Sequence, residues 1–323
     1  MKQPAHSSVV RRNVSMSEKM TLVIGTRGSP LALAQAYETQ SRLAAALGRE
    51  KTDFPLEVIK TTGDAIQDRA LSEAGGKGLF TKELDIAQLA GTVDVTVHSA
   101  KDLPNDIPEG LMIAGYLPRE DVRDALITNH GDSFASLPAG TLIGSASLRR
   151  QALVRRLRPD LEVALLRGNV NTRLSKIASG EFGATLLAMA GLKRLGLTEH
   201  VAAALDIDSF PPAVGQGAIA IIVREADEAA RAAAAKIVDA QTGIQLAAER
   251  GFLAVLDGSC RTPIAAHAQI HGDRLSLHAL VLRPDGSESV EGRREGAIGD
   301  ARAIGADLGA EIHAKLPANF FAV

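Results

Sequence analysis

Short apolar blocks recur along the chain, each closed by a turn rich in Gly, Ser, Thr or Arg and followed by a segment of helical spacing. That grammar predicts strand, turn and helix in succession. Thr21-Leu22-Val23-Ile24-Gly25 reads as a strand, and Ser29-Pro30 then supplies an N-cap and a first helical residue for a helix running to about Leu47. Further strands are predicted over 56–60, over the alternating run Val93-Asp94-Val95-Thr96-Val97, and over 111–116. The pattern resumes at Leu142-Ile143-Gly144, with a helix beginning at Leu148. Strands at 162–166 and 184–188 follow, and each leads into another helix. Polar and proline-rich punctuation at 118–123 and 209–217 marks two crossings between lobes, so the apolar strand 218–223 is expected to return to the first sheet. Such repetition implies mostly parallel sheets.

From 244 the character changes. Helical spacing to 256 is followed by three alternating stretches, 264–270, 274–282 and 287–294, with turns at Gly272-Asp273 and Asp285-Gly286, and by a helix over 301–315. The expected fold class is α/β: two doubly wound lobes plus a smaller C-terminal α+β domain with a three-stranded antiparallel sheet. The expected division is a flexible leader over 1–20, a first domain over 21–117 and 216–238, a second over 118–215, and a third over 239–323.

At 323 residues the chain is long enough for two or three cores. A net charge of -2 gives no general attraction to nucleic acid or anionic membrane, so any anion site must come from local arrangement. Aromatics at 3 % without Trp argue against base-stacking platforms. One cysteine excludes an intrachain disulfide framework and fits a reducing cytosol. No stretch has the roughly eighteen apolar residues of a membrane span, and the first twenty residues lack both the apolar block of a signal peptide and a clear amphipathic pattern. A cytoplasmic monomer is expected.

The densest chemistry is His98-Ser99-Ala100-Lys101-Asp102-Leu103-Pro104, which ends a predicted strand where open α/β sheets place their ligands. Taken alone, its Lys-Asp pair reads as a solvated ion pair. Other strand ends deliver arginine: Arg27, then Arg149 and Arg150, Arg167 and Arg173, and Arg194. Converging at one sheet edge beside helix N-termini, they would form a polyanion site. Glycine density in Gly75-Gly76-Lys77-Gly78-Leu79-Phe80 allows close backbone approach or a moving lid, but the spacing is not that of a Walker loop. Cys260 has two readings, a small buried hydrophobe or a thiolate nucleophile favoured by Arg261 beside it. No His or second Cys lies at zinc-ligand spacing from it.

The segments TRGSPLALAQ, GGKGLFTKEL, HSAKDLP, GSASLRRQ, LRGNVNTRL, AGLKRLGL, PAVGQGAIAI and LDGSCRTPIAA, in that order, resemble the porphobilinogen deaminase (hydroxymethylbilane synthase) family over about 21–315. The sequence departs from the commonest family pattern at Gly28, Asn171 and Asp257-Gly258-Ser259, none of which removes a charged or nucleophilic group. The resemblance implies two lobes like type II periplasmic binding proteins and a third domain carrying the cofactor. It implies a transferase of porphyrin and heme biosynthesis that condenses four porphobilinogen molecules head to tail, with loss of ammonia, to 1-hydroxymethylbilane. The implied cofactor is one dipyrromethane joined by a thioether to Cys260, with Asp102 catalytic. Lys101, Ser99, Ser145, Ser147, Arg149, Arg150 and Arg173 are implied to hold the cofactor, and Arg27, Ser29, Phe80, Arg167, Arg173 and Arg194 the substrate. No metal, nucleic acid or membrane is implied, and the product would pass to a downstream cyclising enzyme. The alternative is a non-catalytic two-lobed anion-binding protein, against which the cysteine-bearing domain and the missing secretion signal both speak.

Overall fold

A computed structural model of the protein describes residues 21–65, 80–256 and 262–321. The expected leader, the glycine-rich segment 75–79 and the loop holding Cys260 lie outside these residues. The first lobe contains β1 (Ile24–Thr26), α1 (Pro30–Leu47), β2 (Leu56–Val58), α2 (Thr62–Ala65), α3 (Lys82–Leu89), β3 (Val95–Ser99) and β4 (Leu111–Tyr116). The chain then crosses to β5 (Asp124–Thr128), β6 (Leu142–Gly144), α4 (Leu148–Leu157), β7 (Glu162–Ala164), α5 (Val170–Ala178), β8 (Ala184–Ala188), α6 (Met189–Leu195) and β9 (Ala203–Ala204). It returns through β10 (Ile219–Arg224) and α7 (Glu228–Ala234), and continues into α8 (Ala240–Val255), β11 (Ile264–His271), β12 (Arg274–Leu282), β13 (Ser289–Ala297) and α9 (Ala301–Lys315).

The two lobes have the same sheet plan, in the orders β2-β1-β3-β10-β4 and β7-β6-β8-β5-β9. Within each, β10 or β5 runs antiparallel to both neighbours. The expectation of mostly parallel sheets thus holds with one exception per lobe, and the exception has a cause. Strands such as β3 and β8 end at the edge facing the crossings, whereas β10 and β5 arrive from the other lobe and begin there. Ile219 at the start of β10 pairs with Ser99 at the end of β3, and Asp124 at the start of β5 pairs with Ala188 at the end of β8. Strand β5 is absent from the sequence reading because Asp124 looks like a continuation of the polar punctuation before it.

Local chemistry sets the first helix. Ser29 accepts a hydrogen bond from the Ala32 amide, Pro30 occupies the first helical position, and Gly48 closes the helix at φ 62°. The first lobe's core joins Ile24, Leu43, Phe54, Val95, Val97, Ile219 and Ile221. The second lobe's main core joins Leu126, Ile143, Leu153 and Leu186 to Leu280 and Leu282 of β12, so the third unit is packed onto the second lobe by apolar burial. In that third unit β12 lies between β11 and β13, and α8 and α9 share its core with the sheet. Among the described residues no helix is long and apolar enough to cross a membrane.

Candidate active site

Asp102 ends a short 3-10 turn over Ala100–Asp102 that continues directly from β3, and its side chain is exposed at the sheet edge. The turn is braced from below. Gly215 at φ 72° lies against it so closely that a Cβ would stand 3.2 Å from the Ala100 carbonyl carbon and from the Lys101 nitrogen. Ser99 accepts a hydrogen bond from Gln35 Nε2 of α1 at 2.8 Å, and Lys101 Nζ donates to Gln216 Oε1 at 3.3 Å. Gln216 Nε2 passes the connection on, donating to Asp124 Oδ1 at 2.9 Å and to the Val122 carbonyl at 2.8 Å.

Asp124 is the centre of charge on the opposite lobe, and the sequence reading missed it. It is buried, and its two oxygens accept from Arg149 Nη2 at 2.6 Å, from Arg150 Nη2 at 2.6 Å and from Arg150 Nε at 3.1 Å. Burial alone would raise this carboxyl, but the two guanidinium groups outweigh it and hold the acid well below the usual carboxylate range. The sequence carries only an indirect signal: two consecutive arginines opening α4 call for a buried counter-charge once their helix packs, without saying which acid supplies it. Arg149 Nη1 also donates to the Pro211 carbonyl at 2.7 Å and Arg150 Nη1 to the Leu186 carbonyl at 2.8 Å. Most of their donors are therefore committed inside the protein, leaving Arg149 Nε buried without a partner among the described residues.

The second-lobe helices begin at this same edge. Ser147 caps α4 by accepting from the Arg150 amide, and buried Ser145 accepts from the Ser147 amide at 3.2 Å. Asn169 caps α5, and Arg173 in its first turns donates Nε to the Gly168 carbonyl at 3.0 Å. Desolvation, then Arg150 and Arg167, push Arg173 down to about 10, with Asp102 opposing. Lys101 is brought down to about 8, by burial first and the Arg150 guanidinium second, while Asp102 and Asp124 pull the other way. Among the described residues Lys101, Arg149, Arg150, Arg167 and Arg173 thus share one field around the exposed Asp102 carboxylate. On the first lobe the Arg27 guanidinium stacks over the Phe80 ring at 4.2 Å from its centroid. His98 beneath is buried, its Nε2 unpartnered among the described residues, and burial followed by Arg27 drives it to about 3, which makes it a neutral imidazole at physiological pH.

Two expected site residues are engaged elsewhere. Ser29 Oγ accepts the cap bond of α1, which leaves only its hydroxyl hydrogen to offer a ligand, and Arg194 is bonded to Glu38 and to the Gly217 carbonyl. The remaining set fits a ligand bearing several carboxylates. Cations crowded enough to lower one another need anions, and the unpartnered Arg149 Nε is a buried donor without an acceptor. A carboxylate set in such a cleft can stabilise a developing positive charge on a bound ring and accept a proton from it.

A family model described as the dipyromethane cofactor binding domain of porphobilinogen deaminase matches residues 22–232, and one described as the C-terminal domain of porphobilinogen deaminase matches 244–314. A porphobilinogen deaminase of Nitrobacter winogradskyi is 54 % identical over 298 residues, covering 92 % of this chain and 94 % of its own. One from Nitrobacter hamburgensis is 53 % identical over the same shares. Among solved structures, a nutrient binding protein from Burkholderia cenocepacia bound to methionine aligns at a TM-score of 0.41 and 13 % identity, over 68 % of this chain and 93 % of that one. A periplasmic substrate-binding protein from Coxiella burnetii aligns at a TM-score of 0.41 and 13 % identity, over 68 % and 93 %.

Proposed function

Because the chain belongs to the porphobilinogen deaminase family, we infer that Asp102 and the cations around it carry out the chemistry of hydroxymethylbilane synthase. The protein is a transferase that joins four porphobilinogen molecules head to tail, releases ammonia at each addition, and yields 1-hydroxymethylbilane for tetrapyrrole biosynthesis. Its family membership sets aside the non-catalytic anion-binding alternative.

When bound, the dipyrromethane supplies the primer pyrrole to which substrate units are joined. Cys260 would hold it covalently, with Lys101, Arg149, Arg150, Arg173, Ser99, Ser145 and Ser147 around its polar groups. Lys101 and the arginines suit the acetate and propionate of each ring, since every addition brings two negative charges into a protein of net charge -2. Arg27, Phe80, Arg167, Arg173, Arg194 and Ser29 would take the incoming substrate, with Arg27 pinned on the Phe80 ring. As ammonia leaves the substrate, positive charge spreads toward the pyrrole nitrogen, and the Asp102 carboxylate stabilises it. The same carboxylate then receives the proton lost from the attacked ring carbon. We assign domain boundaries near 117, 215 and 238, and place the enzyme in the cytoplasm as a monomer that passes its product to a cyclising enzyme.

The observation that carries this reading is the exposed Asp102 carboxylate at the end of β3, set beside Lys101, which burial first and the Arg150 guanidinium second bring down to about 8. Asp102→Ala is expected to lower the rate of ammonia release from porphobilinogen by about a hundred- to a thousandfold. Its thermal unfolding should match the parent's, because the side chain is exposed. Parental turnover in that variant would reject the assignment.

A further inference from the structure

Arg194 is held by an acid of the opposite lobe. Its Nε donates to Glu38 Oε2 at 3.2 Å and its Nη2 to the Gly217 carbonyl at 3.0 Å, whereas Nη1 makes no hydrogen bond among the described residues. Glu38 lies on α1 of the first lobe and Arg194 on α6 of the second. The two helices touch, since a Cβ on Gly191 would meet Leu31 Cδ2 at 3.5 Å. The other oxygen of Glu38 accepts Nε and Nη2 of Arg42, one turn further along α1, at 3.1 and 2.9 Å. One carboxylate therefore serves two guanidinium groups, one within its own helix and one across the lobes. The Arg194 side chain is only 10 % exposed and that of Glu38 27 %, so the arginine depends on an anion more than the acid depends on it.

We propose that Glu38 is a positioning residue for the substrate. It is a built-in carboxylate that occupies Arg194 until a carboxylate of an incoming pyrrole replaces it. The proposal rests on reading Arg194 as a substrate ligand. Two features of the site favour exchange. Glu38 makes a single hydrogen bond to Arg194, whereas a mobile carboxylate can also engage the unused Nη1 and so bind in a two-point grip. Glu38 is not stranded when it lets go, because Arg42 keeps its negative charge compensated. Until then Arg194 is kept ordered and is not free to collapse onto other acids. Each binding event must displace an internal competitor, and the tie between α1 and Arg194 is released as substrate enters.

Glu38→Gln keeps the side chain's size and removes its charge. The expected result is a KM for porphobilinogen lower by about two- to fivefold, the equilibrium equivalent of one partly exposed ion pair, with kcat within about twofold of the parent. A pyrrole carrying the same acetate and propionate but no aminomethyl leaving group provides a binding readout, and its inhibition constant should fall in parallel. Arg194→Ala should raise both constants, and Glu38→Gln added to Arg194→Ala should change neither further. If Glu38→Gln leaves KM and the inhibition constant unchanged, or raises them, while Arg194→Ala weakens binding, the proposal fails and the substrate role of Arg194 stands. If Arg194→Ala alone leaves both constants unchanged, the substrate role fails and takes the proposal with it.

Discussion

Lys101 lies half-buried beside Asp102, where burial and the Arg150 guanidinium bring its ammonium down to about 8. Below that pH it adds a positive charge to the cleft, and as pH rises through it that charge is lost. KM for a dicarboxylate substrate is therefore expected to climb between about pH 7 and 9.5. Lys101→Arg should flatten that climb, since a guanidinium stays charged throughout. An unchanged alkaline limb in the Lys101→Arg enzyme would show that another group sets it. The effect on folding has the opposite sense. The folded protein releases the Lys101 proton near 8 and the unfolded chain near 10.5, so this residue makes unfolding harder as pH rises across that interval. Ser99, Lys101 and Asp102 were legible because they are contiguous and end a strand. Asp124 was not, because its importance comes from Arg149 and Arg150, twenty-five and twenty-six positions away.

Among the secondary-structure elements, most strands and the long helices appear in the hydrophobic pattern to within a few residues. The last helix falls on 301–315 as expected, and α8 starts four residues before its expected position, at Ala240. Asp239 caps α8 by accepting from the Thr242 amide at 2.7 Å, a signature the apolar spacing alone does not contain. Helices α3 and α7 went unread, the latter because its run of alanines carries little periodic contrast. What no pattern reveals is how closely α8 and α9 approach. Gly305 of α9 lies directly against the Ala248 carbonyl oxygen and 2.8 Å, by its would-be Cβ, from the Phe252 nitrogen of α8, leaving no room for a methyl group. Gly305→Ala must push the helices apart, and a loss of about 1–3 kcal/mol in unfolding free energy is expected from urea titration. An unchanged denaturation midpoint would mean that α9 slides without loss of packing.

The three units are tied together by one buried acid. Glu249 of α8 accepts from Arg119 Nη1 at 2.7 Å and Nη2 at 3.1 Å in the first crossing, from the Gly215 amide at 2.8 Å in the second, and from the Ala268 amide at 3.0 Å in β11. Burial works to raise its pKa, but Arg119 and the hydrogen bonds prevail and hold it at about 2. Glu249→Gln leaves the Arg119 charge inside without its partner, and a loss of about 3–5 kcal/mol is expected. Because the folded value lies below the unfolded 4.5, the contribution of Glu249 is complete above about 4.5 and drains away as pH falls toward about 2. Asp124 adds to the same acid limb. The Glu249→Gln protein should thus show both a lower midpoint in denaturant at neutral pH and a shallower decline of stability between about pH 4.5 and 2.5. A parental acid limb in that variant would remove Glu249 from this role.

Amino-acid order was enough to place most of the strands, to mark two crossings between lobes and to single out Asp102 with its cationic neighbours. These features depend on short-range periodicity and on residues adjacent along the chain. Order alone was silent on the partners Asp124, Gln216, Glu38 and Glu249, and on which arginines remain available to a ligand. Whether a guanidinium faces a substrate or an internal carboxylate depends on distances of a few ångströms between segments dozens of residues apart. Those distances are set by how the lobes and helices pack.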